Sequence, residues 1–275
     1  MNREWILKQG EQVGGLALRL CVALIFVFLL LPIAVVVGAS FTETAYLVFP
    51  PQGFTLSWYR AFVEAPGWLD SFRVSFGLAV ATTVLSTAIG IPAALAFARR
   101  AFRGHRSLSA LFLSPLILPQ IVLGVGLLQY LSAIGLARHF VAILAGHVVI
   151  TLPYVIRSVV ATLSGFDMAV EEAAADLGAS PLTRFFTVTL PLIKAGVVAG
   201  ALFAFVISWT NVEVTMFLTT SQLNPLPVKI MNYVAYNVDP LIAAISATSV
   251  YISFVILLLI DALVGIDKFA ETQPR

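Results

Sequence analysis

Six long apolar runs decide what this chain can fold into. They cover residues 20–37, 74–98, 108–131, 140–156, 195–218 and 241–260. A helix needs about 20 apolar residues to cross the hydrocarbon core of a bilayer, and each run is near that length. Spanning strands would be about ten residues long with alternating polarity, whereas these runs are continuous. The sequence therefore predicts an all-α membrane protein with six transmembrane helices.

The composition agrees with this prediction. Only 11% of the 275 residues are charged and 60% are hydrophobic, whereas soluble domains carry about 25% charged residues. We therefore expect one transmembrane domain over residues 1–275, with most of its surface facing lipid. The net charge is only +2, and no basic run is interleaved with aromatic residues, so nucleic-acid binding is not expected.

The positions of the basic residues predict the orientation. With the N-terminus in the cytoplasm, only Arg60, Arg73, Arg138 and Lys229 of the sixteen Lys and Arg residues lie outside. An excess of Lys and Arg in cytoplasmic segments is typical of membrane proteins. Both termini and the connection over residues 164–194 are then expected in the cytoplasm. We call this connection the coupling segment.

The coupling segment is a polar island between the fourth and fifth apolar runs. Asp167 is a candidate helix cap, with Glu171 and Glu172 in the early turns, where acids favour the helix dipole. The three alanines after Glu172 propagate a helix, and Gly178 is a good stop signal.

A second short helix is predicted directly afterwards. Ser180 is its candidate cap, Pro181 lies in its first turn, and Leu190-Pro191 ends it before the fifth span. Two short, capped helices at the membrane face could receive force from a soluble partner. An ordinary surface loop with helical content is the alternative interpretation.

The same residues carry a family resemblance. Glu172-Ala173-Ala174, then Gly178-Ala179 and later Leu190-Pro191, resemble the signature loop of the permeases of bacterial ABC importers. The resemblance implies a type I importer permease fold, in which a coupling helix between helices 4 and 5 inserts into a cleft on an ATP-hydrolysing subunit. The implied docking residues are Glu171, Glu172, Ala173, Ala174, Asp176, Gly178, Ala179, Ser180, Pro181, Leu190 and Pro191.

The resemblance covers essentially the whole chain. Residues 208–220, 226–234 and 239–246 are similar to the spermidine/putrescine branch, which also includes relatives for opines, other amino compounds, phosphonates and ferric iron. Several relatives have an acidic residue where this chain has Thr210-Asn211, and here the acid is Glu213. A polyamine is the first expectation for the solute, followed by a related amino compound.

The expected partners also follow from the resemblance. None of the four lysines is followed by Ser or Thr, so the chain has no phosphate-binding loop of the type G-x-x-x-x-G-K-[S/T]. We expect no cofactor or metal on this chain, no catalytic residue, and ATP with Mg²⁺ on a partner ATPase dimer. A second permease, homologous or identical, and a periplasmic solute-binding protein complete the expected importer in the bacterial inner membrane.

Polar residues within the spans are candidates for the solute route. Glu213 lies in the outer part of the fifth span, with Trp209, Thr210 and Asn211 just before it. Charges at membrane depth usually mark a pathway or a pair. Glu213 is therefore expected either to contact a cationic solute or to pair with the partner permease. His147, in the fourth span, is expected to form hydrogen bonds between helices.

Two other classes of function are weighed against the importer. A self-contained secondary transporter would have inverted repeats and broken helices, and it would have no use for the coupling segment. An intramembrane enzyme would need a nucleophile with a base, and His147 has no such partner in the sequence.

Overall fold

The fold is described by a computed structural model that covers residues 3–99, 102–165 and 167–264, with side chains for these residues except 3–14, 16–17, 257 and 259–264. All regular structure within these ranges is helical. The helices are α1 (Arg3–Ala39), α2 (Ser57–Glu64), α3 (Trp68–Arg99), α4 (His105–Leu113), α5 (Gln120–Ala133), α6 (Phe140–Leu163), α7 (Ala169–Asp176), α8 (Pro181–Arg184), α9 (Leu190–Leu192), α10 (Lys194–Thr210), α11 (Thr215–Leu218), α12 (Leu226–Val234) and α13 (Pro240–Val264). A 3₁₀ turn (Ser114–Leu116) follows α4, and a π-helical turn (Phe185–Thr189) follows α8.

The chain divides into two compact units. In the described part of the chain, the first unit contains residues 3–65 and 236–252. The second contains residues 66–235 and 253–264. The coupling segment and the predicted solute-route residues all belong to the second unit.

In the first unit, α1 presents apolar side chains on every side. Side chains 18–33 are exposed, and none of the apolar window within Leu18–Ala39 is buried. A helix that is apolar all round needs lipid or another apolar surface around it. Helix α1 thus covers the first predicted span, residues 20–37, and is long and apolar enough to cross a bilayer.

The connection between α1 and α2 is ordered by hydrogen bonds and ring packing. The indole nitrogen of Trp58 donates to the carbonyl of Thr42 at 2.9 Å, and the rings of Phe41 and Phe54 stack with centroids 4.9 Å apart. The hydroxyls of Ser40 and Tyr59 lie 2.7 Å apart. These contacts attach the beginning of α2 to the residues that follow α1.

The second unit is built around α3, α6 and α10, which pack against one another. Small residues let α10 approach α6 closely. A Cβ atom on Gly196 would lie 2.6 Å from the carbonyl oxygen of Ser158, and one on Gly200 would lie 2.9 Å from the Cα of Val155. The small-xxx-small pattern Gly196–Gly200 therefore serves helix packing within this chain.

Three predicted spans correspond to single helices that are long and apolar enough to cross a bilayer. They are Leu18–Ala39, Trp68–Arg99 and Phe140–Leu163. Among the described residues, the number of candidate spans rises to five if each of two bent helix pairs counts as one span. The last predicted span contains a shorter apolar helix, Pro240–Ile256. The count of six spans thus stays a prediction, as do the position of the termini and the single domain over residues 1–275. Residues 265–275 lie outside the described residues.

The third and fifth predicted spans are interrupted in the structure, the third at prolines that indicated a kink in the sequence. Helical segments His105–Leu116 and Gln120–Ala133 meet at an angle of 109° within predicted span 108–131. Pro119 explains the break, because proline lacks an N–H and pushes the preceding residue out of the helical region. In the fifth span, α10 ends at Thr210 and α11 begins at Thr215.

Candidate functional site

The coupling segment contains the two short helices that its sequence predicts. The Asp167 carboxylate accepts a hydrogen bond from the backbone N–H of Ala169 at 2.9 Å, just before α7. Helix α7 ends next to Gly178, whose φ of +84° is a left-handed conformation that favours glycine. The Ser180 hydroxyl accepts from the N–H of Thr183 and caps α8. The predicted stop and second cap are confirmed.

The segment ends in a bend rather than a simple break. Residues 181–192 form α8, the π-helical turn and α9 in succession, and this stretch meets α10 at an angle of 74°. Ile193, at the bend, is fully buried. The predicted break at Leu190-Pro191 therefore lies within three residues of the bend, and the segment joins the fifth span through a fixed corner.

Most of the predicted docking residues are accessible. The exposed ones are Glu172, Ala173, Asp176, Gly178, Ser180, Pro181 and Pro191, and the half-buried ones are Ala174, Ala179 and Leu190. Most of these residues lie between α7 and the beginning of α8, and Leu190 and Pro191 lie further on in α9.

Glu171 differs from the other predicted docking residues, because its carboxylate faces the interior of the chain. Glu171 is only 8% exposed. Its Oε1 atom lies 2.5 Å from Nη2 of Arg99 at the end of α3, and it also accepts a hydrogen bond from the hydroxyl of Thr189. Two adjacent carboxylates, Glu171 and Glu172, thus have opposite orientations.

The exposure of two leucines on the same segment was not predicted from the sequence. Leu177 is 89% exposed and Leu182 is 71% exposed. Met168, Val170 and Phe186 are exposed as well. Exposed apolar groups among polar neighbours are typical of an interaction surface. The signal in the sequence was an apolar residue, Leu177, between Asp176 and the helix-stopping glycine.

The break in the fifth span is a second site with unusual geometry. Asn211 is buried, and its side-chain oxygen accepts from the backbone N–H groups of Val214 and Thr215 at 3.0 and 3.3 Å. Its side-chain nitrogen donates to Gln120 of α5 at 2.6 Å. Asn211 therefore caps α11 and attaches the break to α5.

His147 joins the two sides of this break. One ring nitrogen lies 2.8 Å from the hydroxyl of Ser208 on α10, and the other lies 2.9 Å from the hydroxyl of Thr215 on α11. The Thr151 hydroxyl donates to the His147 carbonyl and lies 2.7 Å from that of Ser86 on α3. The predicted role of His147, hydrogen bonding between helices, is confirmed.

The remaining predicted route residues divide into buried and exposed ones. Trp209 is buried, with its ring against those of Phe72, Phe76 and Phe205. Thr210 and Glu213 are exposed on this chain. Glu213 thus lies in the irregular stretch between α10 and α11, with its side chain accessible on this chain.

Lys229 of α12 contacts residues at the beginning of α3. Its ammonium lies 4.6 Å from the centroid of the Trp68 ring and 3.5 Å from the carbonyl of Pro66. Partial burial lowers the pKa of this ammonium, and the negative charge of Asp70 acts in the opposite direction. The contacts attach α12 to the beginning of α3.

The sequence matches a known protein family over most of its length. Residues 86–266 match the family described as binding-protein-dependent transport system inner membrane component. The chain is 32% identical over 244 residues to the spermidine/putrescine transport system permease protein PotC of Escherichia coli K12, covering 89% of this chain and 92% of PotC. It is 29% identical over 228 residues to the putrescine transport system permease protein PotI of the same organism, covering 80% and 81%.

Solved structures support the fold. A chain of a bacterial ABC transporter involved in the import of the acidic polysaccharide alginate superposes with a TM-score of 0.74 at 18% identity, covering 92% of this chain and 97% of that one. A chain from the alginate transporter in complex with a pentasaccharide-bound periplasmic protein gives a TM-score of 0.69 at 13% identity, covering 95% and 97%. At these identities the similarity concerns the fold.

Proposed function

This chain belongs to the family of binding-protein-dependent transport system inner membrane components, and we propose from that premise that it moves a polyamine across the bacterial inner membrane. It is a permease of the ABC importer class. In the proposed importer, two permeases span the membrane, two ATPase subunits bind ATP and Mg²⁺ on the cytoplasmic side, and a periplasmic binding protein delivers the solute. This chain supplies the path and carries no catalytic residue.

The observation that best supports the ATPase partner is the exposed surface of the coupling segment. The eight-residue helix α7 is followed directly by an almost fully exposed leucine, Leu177, and by a left-handed glycine, Gly178. Leu177, the first residue after α7, is 89% exposed and so contributes little to the packing of its own chain. A cleft on a soluble subunit would bury it, and apolar anchors of this kind dominate the energy of interfaces.

The mechanism that we propose is alternating access. ATP binding draws the two ATPases together, and each moves the coupling segment docked in it. The fixed corner at Ile193 passes this movement to α10, which packs on α3 and α6. The permease pair then opens outward, receives the solute, and releases it to the cytoplasm after hydrolysis.

The polyamine assignment is supported by the relatives named for spermidine and putrescine transport and by an exposed carboxylate. Glu213 lies at the break in the fifth span, and a carboxylate there would suit a cationic solute. The alternative for this residue is an ion pair with the partner permease.

The docking surface is tested by Leu177→Asp. This change places a charge in the proposed apolar contact, so we expect the affinity for the ATPase subunit to fall at least about tenfold, with uptake falling in parallel. The permease itself should reach the membrane normally, because the side chain is exposed. Copurification of the ATPase and ATP-dependent uptake of labelled spermidine are the measurements.

Ser107→Asp is the matched control for this experiment. Ser107 is exposed in the first turn of α4, on the same predicted side of the membrane but outside the coupling segment. It receives the same charge, and we expect normal copurification and uptake. Unchanged ATPase binding by Leu177→Asp would overturn the docking proposal.

A further inference from the structure

We propose that Arg99 and Glu171 form the mechanical link between the coupling segment and the second span, so that the ion pair positions α7 and carries its displacement to α3. This inference rests on the proposed function and assigns to Glu171 a role other than contact with the ATPase. Glu171 acts through Arg99 and Thr189 and is therefore a positioning residue.

Arg99 and Glu171 are close together and largely shielded from water. Nη2 of Arg99 lies 2.5 Å from Oε1 of Glu171, and the two side chains are 23% and 10% exposed. The same carboxylate oxygen accepts a hydrogen bond from Thr189 in the π-helical turn. One oxygen atom thus connects three separate parts of the chain: the inner end of α3, helix α7, and the turn that leads into α9 and α10.

Burial makes this connection stiff. An ion pair in water is screened and its partners reorient freely, whereas a pair shielded from water is held by stronger electrostatic attraction and by fixed hydrogen bonds. The two surface pairs Arg60–Glu64 and Asp70–Arg73 differ in this respect, since their side chains are 69–79% exposed and their atoms are 3.6 Å apart. Unlike these two surface pairs, Arg99–Glu171 is short and shielded, as a contact that transmits displacement requires.

The ion pair joins a short peripheral helix, α7, to a long core helix, α3. Helix α7 is eight residues long and is joined to the rest of the chain by turns on both sides. It packs against α8 and the π-helical turn, which belong to the same segment. Arg99 extends from the last turn of α3, which packs on α6 and α10 along its length. A push on α7 therefore has a direct route into the core helices through Glu171.

Glu172, next to Glu171 in the sequence, supports a separate role for each carboxylate. Glu172 is exposed on the surface that we propose for the ATPase, whereas Glu171 is turned away from it. One residue of the pair of glutamates is available to contact the partner, and the other holds the helix that presents it. Removal of Glu171 should therefore disturb transmission more than binding.

The experiment uses the assembled importer in proteoliposomes with labelled spermidine as the transported probe. The variants are Glu171→Gln, Arg99→Gln and the double variant, and the readout is spermidine transported per ATP hydrolysed. We expect either single change to lower this ratio about 2- to 30-fold, the range typical of coupling residues, while ATPase copurification is retained. The double variant should be no worse than the single variants, because the two residues act through each other.

Arg103→Gln is the matched control, since it removes an exposed arginine from the connection that follows α3. It should leave the ratio unchanged. A wild-type ratio in both single variants would overturn the inference. Loss of ATPase binding in Glu171→Gln but not in Arg99→Gln would also overturn it, because Glu171 would then contact the ATPase directly.

The experiment also distinguishes failure of the variants to assemble from failure of the proposed function. If neither neutral variant assembles, Arg99→Lys decides the question, because it keeps the charge but shortens the reach to Glu171. A reduced ratio supports the link, and a wild-type ratio overturns it. Absence of ATP-dependent uptake by the wild-type importer would instead count against the proposed function.

Discussion

Single residues in this chain derive their roles from orientation as much as from identity. Glu171 and Glu172 are neighbours with the same side chain, but one is buried against Arg99 and the other is exposed. Asn211 and Glu213 are two residues apart, but one caps α11 and the other is exposed at the break. From the sequence, both glutamates were predicted to contact the ATPase, and both Asn211 and Glu213 were predicted to line the solute route. Spacing alone does not tell which side of a short or irregular segment a residue faces.

A residue-scale prediction concerns Glu213→Gln. Loss of a charge-assisted contact with a cationic solute costs about 1.5–3 kcal/mol, which corresponds to roughly a 10- to 100-fold rise in KM for spermidine uptake. The complex should remain assembled. Initial uptake rates over a range of spermidine concentrations measure KM, and pull-down of the partner permease measures assembly.

Glu64→Gln is the control, since Glu64 is an exposed carboxylate on α2 that we place outside the route. Its KM should equal that of the wild type. A normal KM in Glu213→Gln would contradict contact with the solute. Dissociation of the permease pair in that variant would show that Glu213 pairs with the partner instead.

At the scale of helices, the close approach of α10 to α6 gives a sharp prediction. Gly196→Ala would place a methyl group 2.6 Å from the carbonyl oxygen of Ser158, on backbone that has no rotamer to change. We expect overpacking to cost about 1–3 kcal/mol and to lower the melting temperature of the purified permease.

Gly77→Ala is the matched helical control, because nothing lies within 4 Å of a Cβ atom at that position in α3. Its stability should be unchanged or slightly raised, since alanine favours helix formation over glycine. Equal melting temperatures for wild type and Gly196→Ala, measured by thermal unfolding in detergent, would show that the two helices do not pack as described.

The helices and their ends could be predicted from the sequence better than the breaks within the spans. Long apolar runs and capping residues led to the helical fold, to the stop at Gly178 and to the cap at Ser180. In the third span, Pro115 and Pro119 indicated a kink, but the size of the bend could not be predicted, because hydropathy counts apolar residues without regard to backbone geometry. The break in the fifth span depends on Asn211, Gln120 and His147. These residues are brought together only by tertiary packing.

At the scale of the whole molecule, we propose that the chain forms a membrane path that is moved through the coupling segment. The core helices α3, α6 and α10 pack together, and the coupling segment joins them at two places, through the corner at Ile193 and through the pair Arg99–Glu171. We propose that these two attachments make the segment move with the core rather than independently of it. This is the physical requirement for a permease that is driven by a separate motor.

The most direct measurement is cysteine cross-linking from Leu177 in native membranes. The chain has a single cysteine, Cys21, so Cys21→Ala with Leu177→Cys leaves one thiol on the proposed docking surface. We predict a cross-link between residue 177 and the ATPase subunit, with a yield that changes when ATP is added, and no labelling of intact cells by a membrane-impermeant thiol reagent. Labelling from outside the cell, or a complete absence of cross-links to an ATPase, would contradict the account.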